Sequence, residues 1–187
     1  MSVRTSLPDK KLAKALERVH RAQSQFTRRY PGDSGARQPV HTVYGGANLF
    51  TAETPAKLGN LALKALESYA PDATTFADAI GIRGELAATV LERVRDKLRR
   101  EAVEDFRIDF EDGYGNRADA EEDGHAVAAA QQVAAGMASA SLPPFIGIRV
   151  KPLTRELAAR SLRTLDVFLT ELVSSAQGQL PPNFVIT

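Results

Sequence analysis

The sequence predicts an α/β fold in which parallel strands alternate with helices, and three observations carry that prediction. Short β-prone runs at 106–110, 145–150 and 183–187 are separated by stretches whose apolar residues recur at helical spacing. The joins are punctuated by Gly113-Tyr114-Gly115, Pro143-Pro144, Pro152 and Pro181-Pro182. The alternation of Phe106, Ile108 and Phe110 ends abruptly in Asp109, Glu111 and Asp112. In parallel α/β folds the ligand sits at the carboxyl ends of the strands, so acids at such an end point to chemistry. Strand-helix-strand units of this length imply right-handed crossovers and a parallel sheet. With a glycine-interrupted stretch at 41–50 included, the strands amount to about the first half of a (β/α)8 TIM-type barrel, preceded by a helical arm.

Each element has its own local warrant. Residues 8–30 form an amphipathic helix with Leu12, Leu16, Val19 and Phe26 near helical spacing, opened by Pro8-Asp9 and stopped by Tyr30-Pro31-Gly32. The turn-forming segment 32–39 sets this arm, residues 1–31, apart from the body, residues 40–187. A helix at 55–69 follows the first strand, with Leu58, Leu61, Ala62, Ala65 and Leu66 as its apolar face and Pro55 in its first turn. Residues 76–80 make a short helical piece, and 84–100 a longer one carrying Leu86, Val90, Val94 and Leu98. The helix at 118–138 is alanine-rich and presents Val127, Ala130, Val133, Ala134 and Met137. Thr154 caps a last helix at 155–175, whose stripe is Ala158, Leu162, Leu165, Leu169 and Leu172.

Composition narrows the function. At 187 residues and 43% hydrophobic content, the chain is long enough for one domain with a sizeable core. Its 24 basic and 23 acidic residues leave a net charge of +1, which gives no global reason for nucleic acid or an anionic membrane as partner. The cations of the arm, Lys10, Lys11, Lys14, Arg18, Arg21, Arg28 and Arg29, read as a solvated face, and nucleic acid is not expected. The absence of cysteine removes disulfide and thiolate chemistry and favours a cytoplasmic setting. No run approaches the ~18 apolar residues of a membrane span, and residues 1–14 lack the apolar core of a signal peptide.

The chemistry-bearing residues have two readings each. Asp109, Glu111 and Asp112 repel one another unless a cation intervenes, which suits a divalent metal; the alternative is a solvated turn with a capping Asp. His41 opens the first strand region, where it either enters the site or sits at the surface. His125 lies beside Glu121, Glu122 and Asp123, in the pattern of an exposed ion pair. Tyr114 either closes over a pocket or packs on the rim. There is no Gly-x-Ser-x-Gly elbow and no G-x-G-x-x-G spacing, which speaks against a serine triad and a dinucleotide site.

Three stretches together carry a resemblance. Leu49-Phe50-Thr51-Ala52-Glu53-Thr54-Pro55-Ala56-Lys57-Leu58 resembles the first strand-to-helix passage of the HpcH/HpaI aldolase and citrate lyase β-subunit superfamily. Asp109-Phe110-Glu111-Asp112-Gly113 is similar to its Asp-Leu-Glu-Asp-Ala motif, and Ile148-Arg149-Val150-Lys151 to its Val-Arg-Val-Asn strand. The order and spacing match from about Tyr30 onward, nearest to an uncharacterised bacterial branch.

The resemblance implies the N-terminal half of a phosphoenolpyruvate/pyruvate-type barrel that makes or breaks a carbon–carbon bond next to a carbonyl. Mg²⁺ would stabilise the enolate, and a 2-oxo acid or a hydroxyacyl thioester such as one of coenzyme A would be the substrate. By resemblance Arg149 grips the substrate bidentately, with Asp109 and Tyr44 also at the substrate, and Glu111 and Asp112 accept hydrogen bonds from metal-bound water. Asp109 would also orient the loop from within its strand. The direct metal ligands, a Glu and an Asp on later strands, are expected beyond Thr187. Two positions depart from the family: Asp112 stands where the aldolase branch has a catalytic His, and Lys151 where Asn is usual. The open strand edge of a half-barrel leads one to expect a homo-oligomer. The alternative to a lyase is a non-catalytic fragment or structural subunit that completes its barrel with another chain.

Overall fold

The computed structural model describes residues 8–187; residues 1–7 of the expected arm lie outside the described residues. The elements run α1 (Asp9–Arg29), β1 (Thr42–Gly46), a 3-10 turn (Ala47–Leu49), α2 (Thr54–Tyr69), α3 (Ala73–Ile80), α4 (Gly84–Glu101), β2 (Asp105–Asp109), α5 (Asp119–Ser139), β3 (Phe145–Arg149), α6 (Ala158–Ser175) and β4 (Phe184–Ile186). The strands form one sheet in the order β1-β2-β3-β4. All three pairings are parallel, as the strand-helix alternation predicts. The chain is therefore mixed α/β with a four-stranded parallel sheet. The chain divides into two units, residues 1–38 and residues 39–187.

Period-two alternation gives the sheet two chemically different faces. On one, Phe106 and Ile108 of β2 and Ile146 and Ile148 of β3 pack on Ala126, Ala130 and Val133 of α5 and on Phe168 and Leu172 of α6. Phe168 stacks on Phe184 of β4 with ring centroids 6.1 Å apart. The other face carries Asp105, Arg107, Asp109 and Arg149, in register across β2 and β3. Arg107 and Asp105 form a buried ion pair at 2.7 Å, and the Thr42 hydroxyl donates to Asp105 at 2.9 Å. Gly147 is what lets the Arg107 guanidinium lie against β3. A Cβ there would stand 2.7 Å from Arg107 Nη1 and 1.8 Å from the Val185 carbonyl oxygen.

The helix faces differ from the hydropathy stripes in ways that have physical causes. In α2, Leu61 is exposed and the buried residues are Pro55 and Gly59, because Gly59 faces Ala102 and the Leu98 carbonyl at the end of α4. In α4, Leu86 is exposed, while Leu91 joins Phe76 and Ala70 in a second, smaller cluster. The α5 face centres on Ala126, Ala129, Ala130, Val133 and Gly136, leaving Val127 half-buried, since small side chains pack closest. In α6, Leu162 is exposed and Ser161 and Thr164 are buried instead. Helix α1, in the first unit, buries none of its residues. Among the described residues no helix is long and apolar enough to cross a membrane.

Candidate functional site

The site begins with Asp109, the last residue of β2, whose side chain is 1% exposed. The chain turns immediately after it, so that the backbone N–H groups of Glu111 and Gly113 donate to its two oxygens, each at 2.8 Å. Gly113 is required by this approach, for a Cβ there would lie 2.7 Å from Asp109 Oδ2. Arg149 ends β3 and stands directly beside Asp109 in the sheet register. Its Nε donates to Asp109 Oδ1 at 2.8 Å and its Nη2 to Oδ2 at 2.5 Å, a fork that matches the carboxylate edge.

Burial alone would push the Asp109 carboxyl up. The Arg149 hydrogen bonds, then those from Glu111 and Gly113, outweigh it and hold the group below its ordinary range. The same hydrogen bonding raises the Arg149 guanidinium further above its usual value, against the effect of burial. The remaining nitrogen, Nη1, lies 3.3 Å from Asp112 Oδ2 and 3.4 Å from Glu111 Oε2. Tyr44 of β1 covers the guanidinium, with its ring centroid 4.7 Å from Arg149 Cζ. Five residues singled out from sequence, Tyr44, Asp109, Glu111, Asp112 and Arg149, thus meet at the carboxyl ends of β2 and β3, with Tyr44 reaching over from the middle of β1.

Two of these residues are already engaged with each other. The bidentate edge of Arg149 is engaged by Asp109, so only Nη1 faces outward between the two acids. Asp109 is buried and holds both Arg149 and the turn. His41 precedes β1 and so lies at the opposite, amino end of the sheet from these residues. Among the described residues there is no group of three or more His, Cys, Asp or Glu placed to hold a metal ion. Glu111 and Asp112 share their charge with Arg149.

Beside the cluster opens a cleft of about 420 Å³, with Glu111 and Arg149 at one end and Val150, Pro152, Leu162 and Ile186 among its walls. Lys151 also reaches it, and sequence reasoning left this residue unexplained. Its ammonium donates to the Phe110 carbonyl at 2.8 Å and to Glu122 Oε2 at 2.5 Å, both groups being buried. Thr164 donates to Glu122 Oε1 at 2.5 Å, Arg160 Nε lies 3.4 Å from the same oxygen, and Ser161 donates to the Lys151 carbonyl at 2.5 Å. The exposed ion pair expected around His125 is not what forms. Glu122 points inward to Lys151, and His125 Nδ1 is hydrogen-bonded at 2.7 Å to the hydroxyl of Tyr114, which is buried. Burial, and secondarily the Glu122 charge, push the Tyr114 phenol up to about 12. The only sequence signal for this network was a lysine two residues past a strand end and a glutamate in the first turn of the preceding helix.

No curated protein and no solved structure matches this sequence. One family does, over residues 19–187, which take in the sheet, the acidic turn and Arg149. The chain belongs to that family, described as Domain of unknown function (DUF6986).

Proposed function

We propose that the chain forms the first half of a (β/α)8 TIM-type barrel and carries part of the site of a cytoplasmic carbon–carbon lyase of the aldolase or citrate lyase type. Its substrate is a 2-oxo acid or a hydroxyacyl thioester, and Mg²⁺ is its cation. The reading rests on one observation. Arg149 is locked by Asp109 at the carboxyl end of a parallel sheet, and its one outward nitrogen stands between Glu111 and Asp112. The sheet order supports the barrel, because a doubly wound sheet reverses its order at the ligand crevice whereas β1-β2-β3-β4 runs on without reversal.

Cleavage next to a carbonyl develops negative charge on an enolate oxygen, and a fixed guanidinium donor lowers that cost without moving. Asp109 does the fixing. Its two bonds to Arg149 leave Nη1 aimed in one direction, and Tyr44 bounds the space above it. A bound Mg²⁺ would supply Lewis-acid stabilisation of the same charge. Its direct ligands would come from outside the described residues, with Glu111 and Asp112 as acceptors from its water shell. The open edges of β1 and β4, each with a single neighbour in the sheet, support the second reading, a subunit that completes its barrel with another chain.

Titration of the 187-residue chain with pyruvate or oxalate, followed by amide and Arg Nε resonances, tests the site. Shifts centred on Arg149, Glu111 and Asp112, and lost in Arg149→Lys, are the expected result. The same chain should bind Mg²⁺ weakly in calorimetry and show no lyase turnover on 2-oxo acids or hydroxyacyl thioesters. Perturbations confined to other parts of the chain would remove the basis of the reading, and tight Mg²⁺ binding with turnover would show that the roles are misassigned.

A further inference from the structure

Helix α1 and its C-terminal cap Tyr30 present an apolar face that none of the described residues of their own unit covers. Leu12, Leu16, Val19, Phe26 and Tyr30 are 44, 46, 50, 64 and 57% exposed. Their spacing is that of a coiled-coil seam. With Gln23 included, residues 12, 16, 19, 23, 26 and 30 follow one another at intervals of four, three, four, three and four. Leu16, Gln23 and Tyr30 then occupy a positions, and Leu12, Val19 and Phe26 occupy d positions.

The charges of the same helix decide what covers the seam. The helix carries seven cations and two acids, which by itself would draw an anionic surface. Six of the cations, Lys10, Lys11, Lys14, Arg18, Arg21 and Arg28, fall at b, c and f positions, on the side turned away from the seam. A helix built to lie on anionic lipid flanks its apolar face with cations. Here the flanking e and g positions are Ala13, Ala15, His20, Ala22, Thr27 and Arg29, five of them without a formal charge. That arrangement lets a like-charged copy approach, because no cation of one helix is forced against a cation of the other within the seam.

We propose that α1 pairs with α1 of a second copy of this chain as a parallel two-stranded coiled coil. Gln23 sets the orientation. Parallel pairing places the two Gln23 amides opposite each other, where each satisfies the other. Antiparallel pairing puts Gln23 against Val19 and strands the amide against a methyl surface.

The chain has no cysteine, so Lys10→Cys gives a single label at an outward b position of the full-length protein. Double electron–electron resonance should show an intermolecular distance of about one coil width. Antiparallel pairing would separate the labels by roughly 33 Å along the axis, from 22 residues at 1.5 Å each. Leu16→Asp with Val19→Asp should abolish the short distance, and Gln23→Leu should strengthen association, a gain that does not depend on the first variant staying helical. Added salt should strengthen pairing, since it screens the outward cations. The proposal fails if no intermolecular distance is seen, if the label distance is the long one, or if the distance survives Leu16→Asp with Val19→Asp. It fails equally if α1 instead binds anionic vesicles in a salt-weakened manner without self-pairing.

Discussion

Asp109 is positioned by four hydrogen bonds, two from backbone N–H groups and two from one guanidinium, while itself almost wholly out of water. The pair is worth keeping intact because removing one partner strands the other. Asp109→Asn should cost about 3 kcal/mol in urea unfolding, the low end for a broken buried pair, since Arg149 retains 23% exposure. Its pH dependence has a definite sign. The folded-state pKa lies below the ordinary 3.8, so the unfolded chain binds the proton more readily. The contribution of Asp109 is therefore complete above that value and lost as the pH falls through the folded pKa. Arg149 stays charged throughout and adds no slope of its own. The wild-type advantage over Asp109→Asn should be constant from neutral pH down to about 4.5 and shrink on further acidification. An advantage unchanged at pH 2 would show that the carboxylate is not the group that matters.

At the scale of elements, α5 and α6 are joined by charge as well as by apolar packing. Glu122 at the start of α5 receives Lys151 from the end of β3 and Thr164 from α6, which ties three elements at one buried carboxylate. Glu122→Gln should destabilise the fold by about 3–5 kcal/mol, and Lys151→Met by a similar amount. The double variant should cost much less than their sum, because Glu122→Gln strands the buried Lys151 ammonium and Lys151→Met leaves Glu122 with Arg160 as its cation partner. Additive costs in the cycle would mean that the two groups are not coupled. This knot also marks where sequence reasoning stopped. The strands were legible because Phe106, Ile108, Ile146 and Ile148 alternate with residues of the other face, and the site because Asp109 and Arg149 each stand last in a strand. Ser161, Thr164 and Glu122 were not, since a polar residue on a helix is by default solvated and only its tertiary partner says otherwise. The α5 face was legible at Ala130, Val133, Ala134 and Met137 but not at Val127, which hydropathy favours while close packing selects the alanines beside it.

At the scale of the whole molecule, the sheet is well anchored in the middle and lightly anchored at β1. Strands β2 and β3 are buried nearly throughout, whereas β1 has one neighbour and of its five residues only Gly46 is buried. The cost of opening the sheet locally should therefore be lower at β1 than at β2 or β3, and β1 amides should exchange with solvent deuterium well before those of β2 and β3. Tyr44 belongs to this strand and forms the roof over Arg149, so each opening event also uncovers the guanidinium. A small anion held at Nη1 beneath that ring would then be released mainly when the strand lifts. Binding and strand order become one equilibrium: saturating ligand should slow deuterium uptake at Val43, Tyr44 and Gly45 while leaving β3 unchanged. Equal uptake with and without ligand would show that the roof plays no part in retention.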